Sequence, residues 1–200
     1  LGKPVAAIIG VSANIYTHYG SLCGEGTGIT DDAFSQAGAM LIVSSDTFVQ
    51  VGYVKLRNHV TGLINKYIYA EMWTPSQHLV IDDNDIDSPP NDGETHTYEI
   101  HLNGIGGAYP TYDGHNCSSH FFSPYLTGPG NAAWQGEVLN EEDRFPGSNI
   151  DHCVFSSCQV NQGSGYVPAG ITQGDLSSIS IWGAYAYISG TSFSIWDIRA

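Results

Sequence analysis

Two residues whose side chains could do chemistry stand in stretches otherwise suited to a sheet interior. Gln50 lies between Val49 and Val51 in TFVQVGYVKLRN. Glu137 belongs to AAWQGEVLN, where it shares a face with Ala133, Gln135 and Leu139 while Trp134, Gly136 and Val138 take the other. A carboxylate in such company is partly desolvated, which raises its pKa and suits it to take a proton from water and return it below neutral pH. The Gln50 amide is the other candidate for a site, since an amide set among valines needs a partner. The plainer alternatives are an amide satisfied within its own sheet and an edge carboxylate facing water.

A second set lies in KYIYAEMW. Alternation sends Ile68, Ala70 and Met72 to one face and Tyr67, Tyr69, Glu71 and Trp73 to the other. The first set suits a core. The second, an aromatic row with one carboxylate, suits either a groove for a polymer ligand or a wet outer face with cross-strand tyrosine pairs. A third set is the acidic stretch DDNDIDSPPNDGE, where Asp83, Asp85, Asp87, Asn91 and Glu94 fall at positions 1, 3, 5, 9 and 12 of an EF-hand-style count. Ser88 stands where the loop glycine belongs, two prolines follow and no flanking helix is readable, which excludes a true EF-hand. A calcium loop of another kind and a solvated acidic turn both stay open.

The eight histidines form no metal motif, and no Gly-x-Ser-x-Gly elbow or phosphate loop is present. Cys23, Cys117, Cys153 and Cys158 lack zinc-finger spacing, so two disulfides are expected. Cys153 with Cys158 would close a local loop and leave Cys23 for Cys117, one of three connectivities that four cysteines allow.

These groups must be positioned by strands, because helical periodicity is nearly absent and runs of β-branched and aromatic residues recur between Gly, Pro, Asn, Asp and Ser clusters. Strands are expected over 5–11, 39–43, 48–56, 64–73, 95–102, 134–139, 154–159, 178–188 and 192–198. That number of strands with long loops predicts an all-β fold, a two-sheet antiparallel β-sandwich of jelly-roll type, in a single domain over residues 1–200.

Composition narrows the setting. The chain carries 6 basic and 20 acidic residues, a formal net charge of −14, and only 13% charged residues in all. Such a surface disfavours nucleic acid and anionic lipid. Abundant Gly, Ser, Thr, Asn and Tyr point to a secreted, extracellular protein, whose signal peptide would have been cut ahead of Leu1. No apolar run approaches the roughly 20 residues a membrane helix needs. Asn116 in NCS matches a glycosylation sequon.

Four segments together resemble the glutamic peptidases, the fungal eqolisins and plant neprosins: QVGY at 50–53, YIYAEMWT at 67–74, WQGEV at 134–138 and FPGS at 145–148. They come in the order of the neprosin segments and span about the middle half of the chain. The resemblance implies a two-sheet antiparallel sandwich, a polypeptide substrate and no required cofactor. By position it makes Gln50 the amide that orients water and binds the oxyanion, and Glu137 the general base and then acid; the groove reading of Tyr67, Tyr69, Glu71 and Trp73 would set that row toward the substrate. This chain has Ala133 where eqolisins carry glutamate before tryptophan, so the role of Glu137 follows from the neprosin-like match. The alternative is a noncatalytic extracellular sandwich that binds a glycan or other polymer through the aromatic row, or that self-assembles by donating the apolar PVAAIIGV stretch to a neighbour's sheet edge.

Overall fold

Small and β-branched residues alternate with polar ones along the longest strands, so that each strand offers one apolar face. The computed structural model describes residues 7–22, 33–58, 60–83, 89–117, 120–139, 143–171 and 184–199. Among these, fourteen antiparallel strands form two sheets stacked against each other, a β-sandwich.

The smaller sheet is ordered β10 (Asn131–Val138), β2 (Ala33–Ser44), β3 (Thr47–Arg57), β4 (Ile64–Thr74) and β5 (Gln77–Asp83). The larger runs β13 (Ala184–Ser189), β14 (Ser192–Asp197), β11 (Cys153–Asn161), β1 (Gly10–Tyr16), β6 (Thr95–Leu102), β7 (Gly107–Tyr112) and β8 (His115–Asn116). Off this path β12 (Tyr166–Pro168) pairs with β11 and β9 (Phe121–Phe122) with β7. One 3-10 turn, Pro124–Thr127, starts at Ser123, whose side chain accepts from the Tyr125 amide.

The core lies between the sheets. Ala37, Leu41, Val49, Val51, Ile68 and Met72 face Val11, Ile15, Tyr98, Ile100 and Phe155 across it, all fully buried. The expected inward set of β4, Ile68, Ala70 and Met72, is in place.

Several boundaries differ from expectation. β2 begins at Ala33 rather than 39, and β5, β7, β8, β9 and β12 add strands that the sequence did not announce. The expected strand over 5–11 is instead β1 from Gly10, with Ile8 bridged to Gly130 and the Ile9 amide bonded to Asn161 O. Because β1 lies between β6 and β11 in this chain's own sheet, Ile8 to Val11 do not form a loose strand for donation to a neighbour. Residues 1–6 lie outside the described residues, as does most of the expected strand over 178–188 before Ala184.

The Cys153–Cys158 disulfide is not formed. Both cysteines lie on one extended strand, and at about 3.3 Å per residue their separation far exceeds the roughly 7 Å between Cα atoms that a disulfide tolerates. Five positions apart they would also face opposite ways, but the register of β11 on β1 shifts between Ser156 and Gln159, and Ser157 takes a positive φ of 51°. This bulge turns Cys158 back into the core. Both thiols are buried, and burial pushes each pKa up to about 12. The Cys153 thiol instead meets the Tyr53 hydroxyl at 3.2 Å. The expected partner of Cys117, Cys23, lies outside the described residues.

Candidate active site

Strand register decides which polar residues meet. In the smaller sheet Gln50 pairs with Met40 on one side and Glu71 on the other, Gln135 pairs with Gly38, and Glu137 pairs with Gln36. All of these side chains belong to the outer face, opposite the one that packs on the larger sheet. The tight turn after Thr74, closed by its hydroxyl on Gln77 O at 3.1 Å, sets His78 opposite Trp73 on the same face.

A continuous chain of hydrogen bonds results. His78 Nε2 lies 2.6 Å from Glu71 Oε1, and Gln50 Nε2 donates to Glu71 Oε2. Gln135 Nε2 donates to Gln50 Oε1 at 3.1 Å and to Glu137 Oε2 at 3.2 Å. Gln36 Nε2 closes the chain on Glu137 Oε2 at 2.8 Å. Gln50 and Glu137 thus share a face and a common neighbour, the Gln135 amide nitrogen, while the carboxylate in direct contact with Gln50 is that of Glu71. The amide of Gln50, buried in a strand flanked by valines, is satisfied at both ends.

Electrostatics separates the two carboxylates. Glu137 has an exposed side chain by area, yet its Oε2 end lies down among Gln36 and Gln135. Desolvation there pushes its pKa up, the Gln36 hydrogen bond opposes this, and the Glu71 charge adds to it. Glu71 has both oxygens engaged, whereas none of the hydrogen bonds to Glu137 described above uses its Oε1. A carboxylate with a raised pKa, open to solvent, is the one suited to take a proton from water.

The aromatic row divides. Trp73 is 42% exposed, stacked on Phe48 with ring centroids 6.4 Å apart and touching the His78 ring at 4.5 Å. Tyr67 and Tyr69 are 8% and 3% exposed, packed with Val54, Phe34 and Leu56 in a small apolar cluster on the same face. Only the Trp73 end offers aromatic surface to a ligand.

Of the five expected calcium ligands, Asp85 and Asp87 lie outside the described residues and Asp83 ends β5. Asn91 and Glu94 bind each other: the Asn91 amide and Nδ2 donate to the Glu94 carboxylate at 3.0 and 2.9 Å. These bonds, with one from His96, hold the Glu94 pKa below the usual carboxylate range. Among the described residues no group of three or more acidic, His or Cys side chains is placed to hold a metal.

Sequence reasoning missed Gln36 and His78. Gln36 precedes the expected start of β2, and His78 follows a turn into a strand that was not expected. Continuing the alternation of β2 back from Met40 through Gly38 reaches Gln36 and would have found it. A cavity of about 550 Å3 opens beside Tyr16, Asp151 and His152 on the larger sheet and shares no residue with the amide and carboxylate chain.

No family model matches the chain, and no curated protein does. Solved structures do. Scytalido-glutamic peptidase with a peptide-based transition-state analogue aligns with a TM-score of 0.57 at 15% identity, over 96% of this chain and 94% of that one. Aspergilloglutamic peptidase from Aspergillus niger gives 0.58 at 16% identity, over 82% and 99%. SCP-B, a member of the eqolisin family in complex with the tripeptide Ala-Ile-His, gives 0.51 at 13%, over 96% and 94%. At such identity the likeness is one of fold: this chain has the glutamic peptidase-like sandwich.

Proposed function

We propose that this chain is a secreted, acid-acting glutamic endopeptidase that uses Gln50 and Glu137 to add water across a peptide bond. The observation that carries the reading is one position on the outer face, taken by the Gln135 amide nitrogen, that lies 3.2 Å from Glu137 Oε2 and 3.1 Å from Gln50 Oε1. A water held there donates one hydrogen to Glu137, its base, and the other to Gln50 Oε1, which orients it.

Chemistry follows from the two groups. Ionised Glu137 takes a proton from the water as its oxygen attacks the carbonyl carbon of the scissile bond. The oxygen of that carbonyl becomes an oxyanion, to which Gln50 Nε2 donates its second N–H. Protonated Glu137 then gives the proton to the leaving nitrogen, the C–N bond breaks, and an amine and a carboxylic acid depart. Glu71, fixed by His78, holds the Gln50 amide in orientation, and Trp73 with Phe48 receives an apolar side chain of the polypeptide. The reading needs no cofactor. The fold shared with the glutamic peptidases supports it.

The deciding experiment is digestion of a denatured protein between about pH 3 and 5, where a carboxylate of raised pKa begins to ionise. Glu137→Gln should abolish cleavage, and activity surviving that change overturns the assignment. One feature favours a second reading, a noncatalytic sandwich that binds a glycan: the exposed, stacked Trp73 offers an apolar plate of the kind sugar rings rest on. Retention on an immobilised polysaccharide, lost in Trp73→Ala, with no proteolysis by the native protein, would establish it instead.

A further inference from the structure

One row across the outer face of the smaller sheet is unlike its neighbours. It reads Gln135, Gly38, Gly52, Tyr69 on β10, β2, β3 and β4. Neither glycine puts a side chain into the row, and because a Cβ on Gly52 would run into the β2 backbone at Ala37 O, the open stretch is the one over Gly38. Tyr69 lies in it from one end, its hydroxyl reaching β2, where a Cβ on Gly38 would stand 2.9 Å away. That hydroxyl is closed off from solvent and has no hydrogen-bond partner, although Glu137 and Glu71 both act on it electrostatically. From the other end Gln135 sets its amide nitrogen between Gln50 and Glu137, where the attacking water belongs.

A buried hydroxyl without a partner is destabilising, and each such group in a folded protein calls for an explanation. No side chain at Gly38 braces the stem of Gln135, so the amide is held only by hydrogen bonds that a peptide backbone can replace. Moving Gln135 aside would free the water position and uncover the Tyr69 hydroxyl together.

We infer that Tyr69 is a further catalytic residue of this site, donating a hydrogen bond to the scissile carbonyl oxygen beside Gln50, and that Gln135 covers it until a polypeptide takes its place. The inference rests on the peptidase reading above. Tyr69 transfers no proton; Glu137 carries out every transfer, and Tyr69 only shares the oxyanion. Burial, then the charges of Glu137 and Glu71, hold the phenol pKa well above its ordinary value, so it remains a donor across the acid range.

The test uses the full chain with Tyr69→Phe and Gln135→Ala, read in three ways. These are cleavage of a denatured protein, calorimetric binding of a hexapeptide with a hydroxyethylene group replacing one peptide bond, and Tm. Tyr69→Phe should lower kcat at least about tenfold with KM little changed and weaken hydroxyethylene-peptide binding about tenfold. Its Tm should hold or rise, because the unpartnered hydroxyl is gone. Gln135→Ala should lower KM and tighten that binding several-fold. Wild-type kcat and affinity in Tyr69→Phe overturn the role of Tyr69, and unchanged or weaker binding in Gln135→Ala overturns the cover. A wild type that cleaves nothing but shows both binding shifts refutes the peptidase reading and leaves the donor site standing. No binding by any of the three proteins refutes both.

Discussion

The two faces of the smaller sheet are made from alternate residues of the same strands, and they bury their side chains by opposite means. On the inner face Leu41, Val49, Val51, Ile68 and Met72 are lost to solvent through close packing on the other sheet. On the outer face Gln50 is 3% exposed, nearly as hidden, yet it is covered by other polar groups and satisfied by Glu71 and Gln135. Burial of an apolar side chain stabilises by about 1.5–3 kcal/mol, whereas an ordinary hydrogen bond nets about 1 kcal/mol. Stability is therefore concentrated on the inner face, and the outer face holds arrangement. Substitutions should separate the two.

The largest effect is expected from Glu137→Gln, which removes the general base: steady-state kinetics should show kcat falling about 10²–10⁴-fold, with Tm at least as high as the wild type. Gln50→Ala removes the oxyanion donor and should cost about 10²–10³ in kcat, with a folded protein by circular dichroism. An inner-face change should do the reverse. Met72→Ala should lose about 2–5 kcal/mol in urea unfolding while the protein that remains folded keeps its KM.

Smaller effects follow from pH and from the thiols. The folded-state pKa of Glu137 lies above its ordinary 4.5, so the native state binds the proton more tightly than the unfolded chain. The stability this contributes is fully present below about pH 4.5 and is lost as pH rises through the folded-state pKa. Calorimetry should accordingly find Glu137→Gln gaining Tm over the wild type at neutral pH and little or nothing at pH 4. Last, denaturation without reductant should expose both Cys153 and Cys158 to iodoacetamide, while the native protein leaves them unlabelled; a mass spectrum of the peptide containing them reads the result.

Much of the framework was legible in the residues themselves. The alternation in KYIYAEMW placed Ile68, Ala70 and Met72 inward because period-two patterning is a local property of a strand. β2 was read too short because Ser35, Ala37 and Gly38 have low β-propensity and hold their strand only through pairing with β3 and β10. β7 was missed because GAYPTY carries a glycine and a proline, which read as a turn. For the site, the face shared by Gln50 and Glu137 was within reach of the pattern, but what lies over that face was not. Whether Tyr69 walls a groove or lies flat depends on Gly38 and Gly52, which are brought beside it by register alone. The disulfide expectation failed because CVFSSC lies along one extended strand, β11, which holds the two sulfurs too far apart, where spacing alone allowed a tight loop.

The place of β1 has a consequence for how the molecule is made. Gly10 finds its two partners at His101 and Asn161, so this strand cannot complete its pairing until the chain has been synthesised beyond Asn161. Closing such long loops before any contact rewards them makes folding slow. Meanwhile Val11, Ala13 and Ile15, later fully buried, stay uncovered and prone to stick to other chains. Maturation of this protein is thus a race between chain completion and aggregation, and yield should improve when translation is slowed least and nascent chains are kept dilute.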